Sequence, residues 1–155
     1  MNMLKVGIVG WRGMVGSVLV QRMLQERDFE HLAPTFYTTS SVGKPGPDVG
    51  KAVPALRDAN DVGAFAGLDA IVTCQGGDWT STMYPRLRAA GFDGYWIDAA
   101  SAMRMADDAV IILDPVNRPI IDAGGGVRCG RSLARAHRLW RLLLADHRIA
   151  VLVGS

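Results

Sequence analysis

The sequence has little of the material that cross-links, metal sites or membrane spans require. Its 155 residues include two cysteines, Cys74 and Cys129, and three histidines. Two cysteines argue against a disulfide framework and are typical of a reducing cytoplasm, where we expect the protein. The histidines and cysteines do not stand at metal-ligand spacing, so we predict no metal site. No apolar run reaches the roughly 18–20 residues of a membrane span, and the N-terminus lacks a signal-peptide pattern.

Charge is unevenly divided along the chain. The formal net charge is +2, but residues 127–155 carry six arginines and a single acid, Asp146. Residues 1–126 carry 11 basic and 14 acidic side chains, and the composition changes at the glycines of 124–126. We therefore predict a domain over 1–126 and an atypical basic tail over 127–155.

The tail has apolar residues near helical spacing with arginines between them, from Leu133 to Leu144. Basic amphipathic helices can bind membrane surfaces or nucleic acid. Six arginines and one tryptophan are a weak signal, however, and incidental helix propensity is the favoured reading. We therefore expect no nucleic-acid or membrane partner, and a tail that is helical or disordered.

The most informative stretch runs from Lys5 to Leu24 (KVGIVGWRGMVGSVLVQRML). A short β-branched run is followed by Gly10, Gly13 and Gly16 at three-residue spacing, and then by apolar residues at helical spacing. A strand, a tight turn and a helix present free backbone N–H groups to a phosphate. The turn is G-x-x-G-x-x-G and not the common G-x-G-x-x-G, so a turn without a ligand remains the alternative.

Strand and helix patterns alternate along the rest of residues 3–122. Further strands are predicted at 35–39, 69–74, 95–97 and 109–113. Helices are predicted up to about residue 27, at 62–68, and from a cap at Asp78 or Thr80 through Ala90, with a loop over 40–54. This alternation predicts right-handed βαβ units and a parallel α/β sheet. Glycines and small polar residues follow the predicted strands, where such sheets bind ligands, at 10–16, 38–41, 75–78 and 98–101.

The end of the second predicted strand bears on the choice of nucleotide. NAD sites usually place an acid there, on the ribose 2′-hydroxyl. This chain has hydroxyl residues over 38–41 and no acid before Asp48. Hydroxyls together with Arg12 can receive a 2′-phosphate, which favours NADP; the alternative is a merely polar turn.

Several of these stretches together resemble the amino-terminal half of aspartate-semialdehyde dehydrogenase, and the resemblance covers residues 3–122. The matching segments are GWRGMVGSVL (10–19), FYTTS (36–40), VTCQGGDWT (72–80), LRAAG (87–91), YWIDAAS (95–101) and ILDPVN (112–117). The resemblance implies an NADP-dependent oxidoreductase with a Rossmann-like cofactor domain, helices on both sheet faces, and a second domain for substrate and dimer contacts. The implied reaction is reductive dephosphorylation of L-aspartyl-4-phosphate to L-aspartate-4-semialdehyde, in lysine, methionine and threonine biosynthesis.

The resemblance also implies roles for individual residues. The pyrophosphate turn and the 2′-phosphate pocket would bind NADP(H), together with one glutamine of the third strand's loop. An arginine in SAMRM would bind the phosphate of substrate or product, with a solvated surface arginine as the alternative. The implied cofactor residues are Gly10, Arg12, Gly13, Met14, Val15, Thr39, Ser40 and Gln75, and the implied phosphate ligand is Arg104.

One part of the family pattern is missing. The family's nucleophile is a cysteine in a Gly-Gly-Asn-Cys-Thr segment soon after DPVN, and this chain has no such segment. Cys129 comes too early, and Cys74 closes an apolar strand, so we assign no catalytic residue. We expect a cofactor half joined to an unrelated tail, as a reading-frame disruption would produce. Such a chain would not catalyse alone; the alternative is a non-catalytic NADP-binding domain or inactive remnant.

Overall fold

A computed structural model of the chain describes residues 3–100 and 102, together with the backbone of two later strands. Strands and helices alternate, as predicted. In chain order they are β1 (Leu4–Val9), α1 (Met14–Gln25), β2 (Leu32–Thr38), β3 (Arg57–Asp58), β4 (Ala70–Thr73), α2 (Gly77–Ala89), β5 (Tyr95–Asp98), β6 (Ala109–Ile112) and β7 (Ala150–Val153). Two short 3₁₀ turns, Asp28–His31 and Val62–Phe65, complete the described elements.

The strands form one sheet in the order β3-β2-β1-β4-β5-β7-β6. The first five strands in this order are parallel, and β1 lies between β2 and β4. Parallel neighbours need crossover connections, and α1 and α2 provide two of them. The predicted parallel α/β sheet is therefore confirmed, and it includes β3, a strand that the sequence did not predict.

The two helices pack on opposite faces of the sheet, as expected. Alternate residues of a strand point to opposite faces. Val6 and Ile8 of β1 belong to the same core cluster as Val20 and Met23 of α1. On the other face, Val9 belongs to a cluster with residues of α2, among them Met83 and Leu87.

The last strand, β7, is an unpredicted element. It lies between β5 and β6 and is antiparallel to both, so that Val153 stands opposite Trp96 on one side and Ala109 on the other. Residues 150–153 belong to the predicted basic tail. The predicted helix near residues 133–144 lies outside the described residues, as do the other tail residues.

Two predicted boundaries are wrong. β2 begins at Leu32 and not at Thr35, and so includes Pro34. β3 pairs only with Tyr37 and Thr38, so Pro34 lies where β2 has one neighbour and a missing N–H can face away from the ladder. Neither Asp78 nor Thr80 caps α2; its N-cap is Gly76, with no side-chain cap.

Candidate functional site

The turn after β1 is shaped by close packing at two of its three glycines. Gly10 has a φ of +73°. A β-carbon at Gly10 would overlap the backbone between Cys74 and Gln75, in the loop after β4. A β-carbon at Gly16 would overlap the carbonyl of Gly10. The fold itself therefore requires glycine at both positions.

Gly13 differs from the other two glycines. It is the N-cap of α1 in an extended conformation (φ −68°, ψ 172°) that any residue can adopt. The nearest atom to a β-carbon there is the Gly10 oxygen, at an ordinary 3.5 Å. The residue is exposed, and nothing in the described protein fills the space in front of it.

The N-terminus of α1 suits an anion. No side chain caps it, and its first turn contains no acidic residue. The first N–H groups of a helix have no intrahelical partner and carry the positive end of the helix dipole. With a bare glycine at the N-cap, a phosphate can approach these N–H groups closely.

The end of β2 contributes a hydroxyl-rich turn. Thr38 is buried, and its Oγ1 accepts hydrogen bonds from the backbone N–H of Ser40 at 3.2 Å and of Ser41 at 3.3 Å. This local motif holds the turn tightly against the strand end. Thr39 and Ser40 are exposed beyond it, so that their side chains are available to a ligand.

Arg12 links the first turn to the second. Its Nη1 donates to the Ser41 hydroxyl at 3.0 Å, and its guanidinium lies 4.8 Å from the centre of the Trp11 ring. Trp11 is itself fixed, because its indole N–H donates to the Tyr37 carbonyl at 3.1 Å and its ring packs edge-on against Phe36. A positive charge thus stands over the hydroxyl-rich turn.

The loop after β4 forms the other side of the site. The backbone N–H of Cys74 donates to the Val9 carbonyl at 2.9 Å, which continues the ladder beyond both strands. The N–H of Gln75 donates to Thr73 Oγ1 at 3.2 Å, and the Gln75 side chain is exposed. The close approach at Gly10 places Gln75 beside the first turn.

The end of β5 carries a buried carboxylate. Asp98 is fully buried and accepts hydrogen bonds from the Thr80 hydroxyl at 2.6 Å, the Trp96 indole at 3.4 Å and the Ala100 backbone N–H at 2.7 Å. A buried carboxylate needs such donors, because its burial is otherwise very costly. Asp98 thereby ties the start of the loop after β5 to α2.

Two described groups have strongly shifted pKa values. Burial raises the pKa of the Tyr37 hydroxyl to about 12, against the opposite effect of nearby Arg57. The hydroxyl donates to the Ala64 carbonyl at 2.6 Å and stays protonated at neutral pH. Burial, with help from Glu26, also raises the pKa of Asp28 to about 6, against the opposite effect of His31.

Comparison with known proteins identifies this arrangement. Residues 5–123 match the family described as semialdehyde dehydrogenase, NAD binding domain. The chain belongs to the semialdehyde dehydrogenase family. The match supports a nicotinamide dinucleotide as cofactor, and it includes all the loops described above.

Solved structures of similar proteins are aspartate-semialdehyde dehydrogenases. The enzyme from Francisella tularensis is 44% identical, with a TM-score of 0.70 over 79% of this chain and 35% of that one. Aspartate-semialdehyde dehydrogenase II from Vibrio cholerae is 25% identical, with a TM-score of 0.60 over 81% of this chain and 36% of that one. The resemblance and the Rossmann-like fold are confirmed, and the chain spans about a third of these relatives' length.

The family's fold brings the predicted cofactor residues together. They lie on three loops at the carboxyl edge of the parallel strands and, for Met14 and Val15, at the start of α1; Met14 is 85% exposed. Their individual roles stay predictions. They are Gly10, Arg12, Gly13, Met14 and Val15 after β1, Thr39 and Ser40 after β2, and Gln75 after β4. Arg104 and Cys129 lie outside the described residues.

Three residues that shape this site had no individual role in the sequence analysis, although Ser41 and Asp98 stood in the predicted ligand loops 38–41 and 98–101. Ser41 holds Arg12, Trp11 supports the same guanidinium, and Asp98 anchors the loop after β5. An acid directly after the apolar run of β5 was a usable signal for Asp98.

The described residues contain no group of three or more His, Cys, Asp or Glu side chains placed to hold a metal ion. Over the same residues, no helix combines the length and the apolar character needed to cross a membrane.

Proposed function

We propose that this chain is the NADP-binding part of an aspartate-semialdehyde dehydrogenase. The proposed reaction of the whole enzyme is the NADPH-dependent reductive dephosphorylation of L-aspartyl-4-phosphate to L-aspartate-4-semialdehyde, a step toward lysine, methionine and threonine. The observation that carries the cofactor assignment is the uncapped start of α1 behind Gly13. Family membership and the 44% identity to the Francisella tularensis enzyme support the reaction.

The residues after β1 would hold the pyrophosphate. Gly13 leaves room for it, and the backbone N–H groups of Met14 and Val15 would donate to its oxygens at the helix start. Gly10 fixes the turn, and Gln75 beside it would contact the cofactor from the loop after β4. When bound, the nicotinamide supplies the hydride, and these residues orient it.

The residues after β2 would select NADP. Thr39 and Ser40 offer hydroxyl groups where an NAD site would place an acid. Arg12 adds a guanidinium, which is suited to a phosphate. Arg104 would bind the phosphate of the substrate or product.

Binding measurements test this assignment directly. Calorimetric titration with NADP and NAD should show tighter binding of NADP. Gly13→Val should abolish binding of both, because its side chain would fill the phosphate's place. Equal affinity for the two dinucleotides, or tighter binding of NAD, would contradict the assignment of Thr39 and Ser40.

We propose that this chain by itself does not turn over aspartate semialdehyde. The family's chemistry uses a cysteine in a Gly-Asn-Cys-Thr segment that this sequence lacks. Loss of such a nucleophile can lower kcat by about 10⁶. Turnover with NADP, phosphate and semialdehyde that disappears in Cys129→Ser would show that Cys129 substitutes for it. The same missing segment favours the second candidate, a non-catalytic NADP-binding domain.

We also propose a cytoplasmic location, for which the low cysteine content is the argument. Homodimerisation, as the family resemblance implies, would depend on a substrate domain.

A further inference from the structure

We propose that Ser41 is a positioning residue that holds Arg12 in place for the 2′-phosphate and so sets the preference for NADP over NAD. The inference rests on the proposed function and assigns a separate role to Ser41, which the sequence analysis named only as one of the hydroxyl residues over 38–41. It follows from how the backbone and the side chain of Ser41 are bonded.

The backbone of Ser41 is fixed on both sides. Its N–H donates to Thr38 Oγ1 at 3.3 Å, and its carbonyl accepts from the Lys44 N–H at 3.2 Å. Lys44 in turn accepts from the Leu56 N–H at 2.9 Å, and Gly43 donates to the Leu56 carbonyl at 2.8 Å. The Ser41 hydroxyl therefore stands on a braced loop, although this loop has no regular secondary structure.

Arg12, by contrast, is a long exposed side chain that would lose much conformational freedom on binding a ligand. Its guanidinium has two contacts that reduce this cost, the Trp11 ring at 4.8 Å and the Ser41 hydroxyl at 3.0 Å. The Trp11 ring supports the Arg12 guanidinium, and the Ser41 hydroxyl accepts a hydrogen bond from its Nη1. The guanidinium is thereby held beside the turn after β2.

The same turn leaves few other donors for a phosphate. The backbone N–H groups of Ser40 and Ser41 already donate to Thr38 Oγ1. The side chains of Thr39 and Ser40 and the guanidinium of Arg12 are therefore the groups that can meet a 2′-phosphate there.

Two soluble fragments of the cofactor test this idea without any need for a substrate domain. Adenosine 2′,5′-bisphosphate carries the 2′-phosphate, and 5′-AMP does not. For Ser41→Ala we expect the ratio of the two dissociation constants to shift about tenfold against the bisphosphate, since a hydrogen bond to a charged group is lost. Ser41→Thr keeps the hydroxyl and should restore the wild-type ratio.

A double-mutant cycle separates positioning from a direct contact. If Ser41 acts through Arg12, Ser41→Ala should lower bisphosphate affinity about tenfold in the wild type and less than about threefold in an Arg12→Ala background. The matched control is Ser81→Ala, an exposed serine of α2, which should leave both ligands unaffected. Thermal unfolding of each variant verifies that the fold is intact.

The outcomes are distinct. A wild-type chain that binds neither fragment nor NADP would overturn the proposed function, and this inference with it. A wild-type chain that prefers the bisphosphate while Ser41→Ala leaves the ratio unchanged would overturn the inference alone. Equal losses for both fragments, or strictly additive losses with Arg12→Ala, would also overturn it, because they would indicate loop distortion or an independent contact.

Discussion

Polar groups point in different directions at the two edges of the parallel sheet. At the carboxyl edge, the loops after β1, β2 and β4 turn hydroxyls, N–H groups and a guanidinium outward. At the amino edge, polar groups turn inward. There the Lys51 ammonium donates to the carbonyls of Phe29 at 3.2 Å and Leu32 at 2.8 Å, and Asp28 is buried.

This difference favours the carboxyl edge as the ligand-binding end. The Lys51 ammonium already donates to two backbone carbonyls, which stabilises the fold and leaves it less available to a ligand. Groups held in place by the backbone, with their donors directed outward, are prepared for one. Substitutions at the carboxyl edge should therefore separate into those that affect binding and those that affect folding, whereas substitutions at the amino edge should affect folding alone.

The largest expected loss of stability comes from Gly16→Ala. Its β-carbon would overlap the Gly10 carbonyl, which is backbone and cannot rotate away. We expect a decrease of about 2–3 kcal/mol in the free energy of unfolding, measured by urea denaturation. A variant as stable as the wild type would show that the turn can open, and would remove the packing explanation for this glycine.

Gly13→Ala should show the opposite behaviour. The position has room for a methyl group and an ordinary backbone conformation, so the free energy of unfolding should change by less than about 1 kcal/mol. The affinity for NADP should fall about 100-fold, because the methyl group would hold the pyrophosphate away from the helix start. Together with Gly16→Ala, this variant tests whether Gly16 is required for folding and Gly13 for cofactor binding.

The contrast between these glycines also shows which features of the site the sequence could predict. The three equally spaced glycines predicted the turn and its ligand, but their spacing did not distinguish one glycine from another. The loop after β4 restricts Gly10 from more than 60 residues away in the chain, the Gly10 carbonyl restricts Gly16, and neither restricts Gly13. The sequence pattern contains no information about such a contact, nor about the hydrogen bond that joins Arg12 to Ser41.

The strands also divide into those that the sequence could predict and those that it could not. Continuous apolar runs predicted β1, β4 and β5, because a strand buried on both faces is apolar throughout. The two-residue β3 has no periodicity to recognise. The position of β7 between β5 and β6 depends on pairing with distant strands, which local composition does not specify.

A smaller loss of stability is expected for Lys51→Met at the amino edge. The substitution keeps an apolar stem but leaves the Phe29 and Leu32 carbonyls without their donor. We expect the free energy of unfolding to fall by about 2 kcal/mol while NADP affinity is unchanged. Lys5→Met, which removes an exposed ammonium, is the control. A loss of NADP affinity in Lys51→Met without a loss of stability would contradict the proposed division between the two edges.

An effect of similar size, but dependent on pH, is expected from Asp28. Burial raises its pKa to about 6, so the folded protein holds the proton more tightly than the unfolded chain does. Its contribution to stability is therefore complete below about pH 4 and is lost as the pH rises through about 6. Asp28→Asn stays neutral, and its stability relative to the wild type should increase by about 2 kcal/mol between pH 4 and pH 7.

Urea denaturation of both proteins across this pH range measures the difference directly. Asp48→Asn is the matched control, because it replaces an exposed carboxylate whose hydrogen bond to the Gly50 N–H an asparagine can also accept. A pH-independent difference between Asp28→Asn and the wild type would mean that the Asp28 carboxylate is well solvated in the folded protein. A similar pH-dependent gain in Asp48→Asn would show that general charge repulsion, and not burial at the amino edge, is the cause.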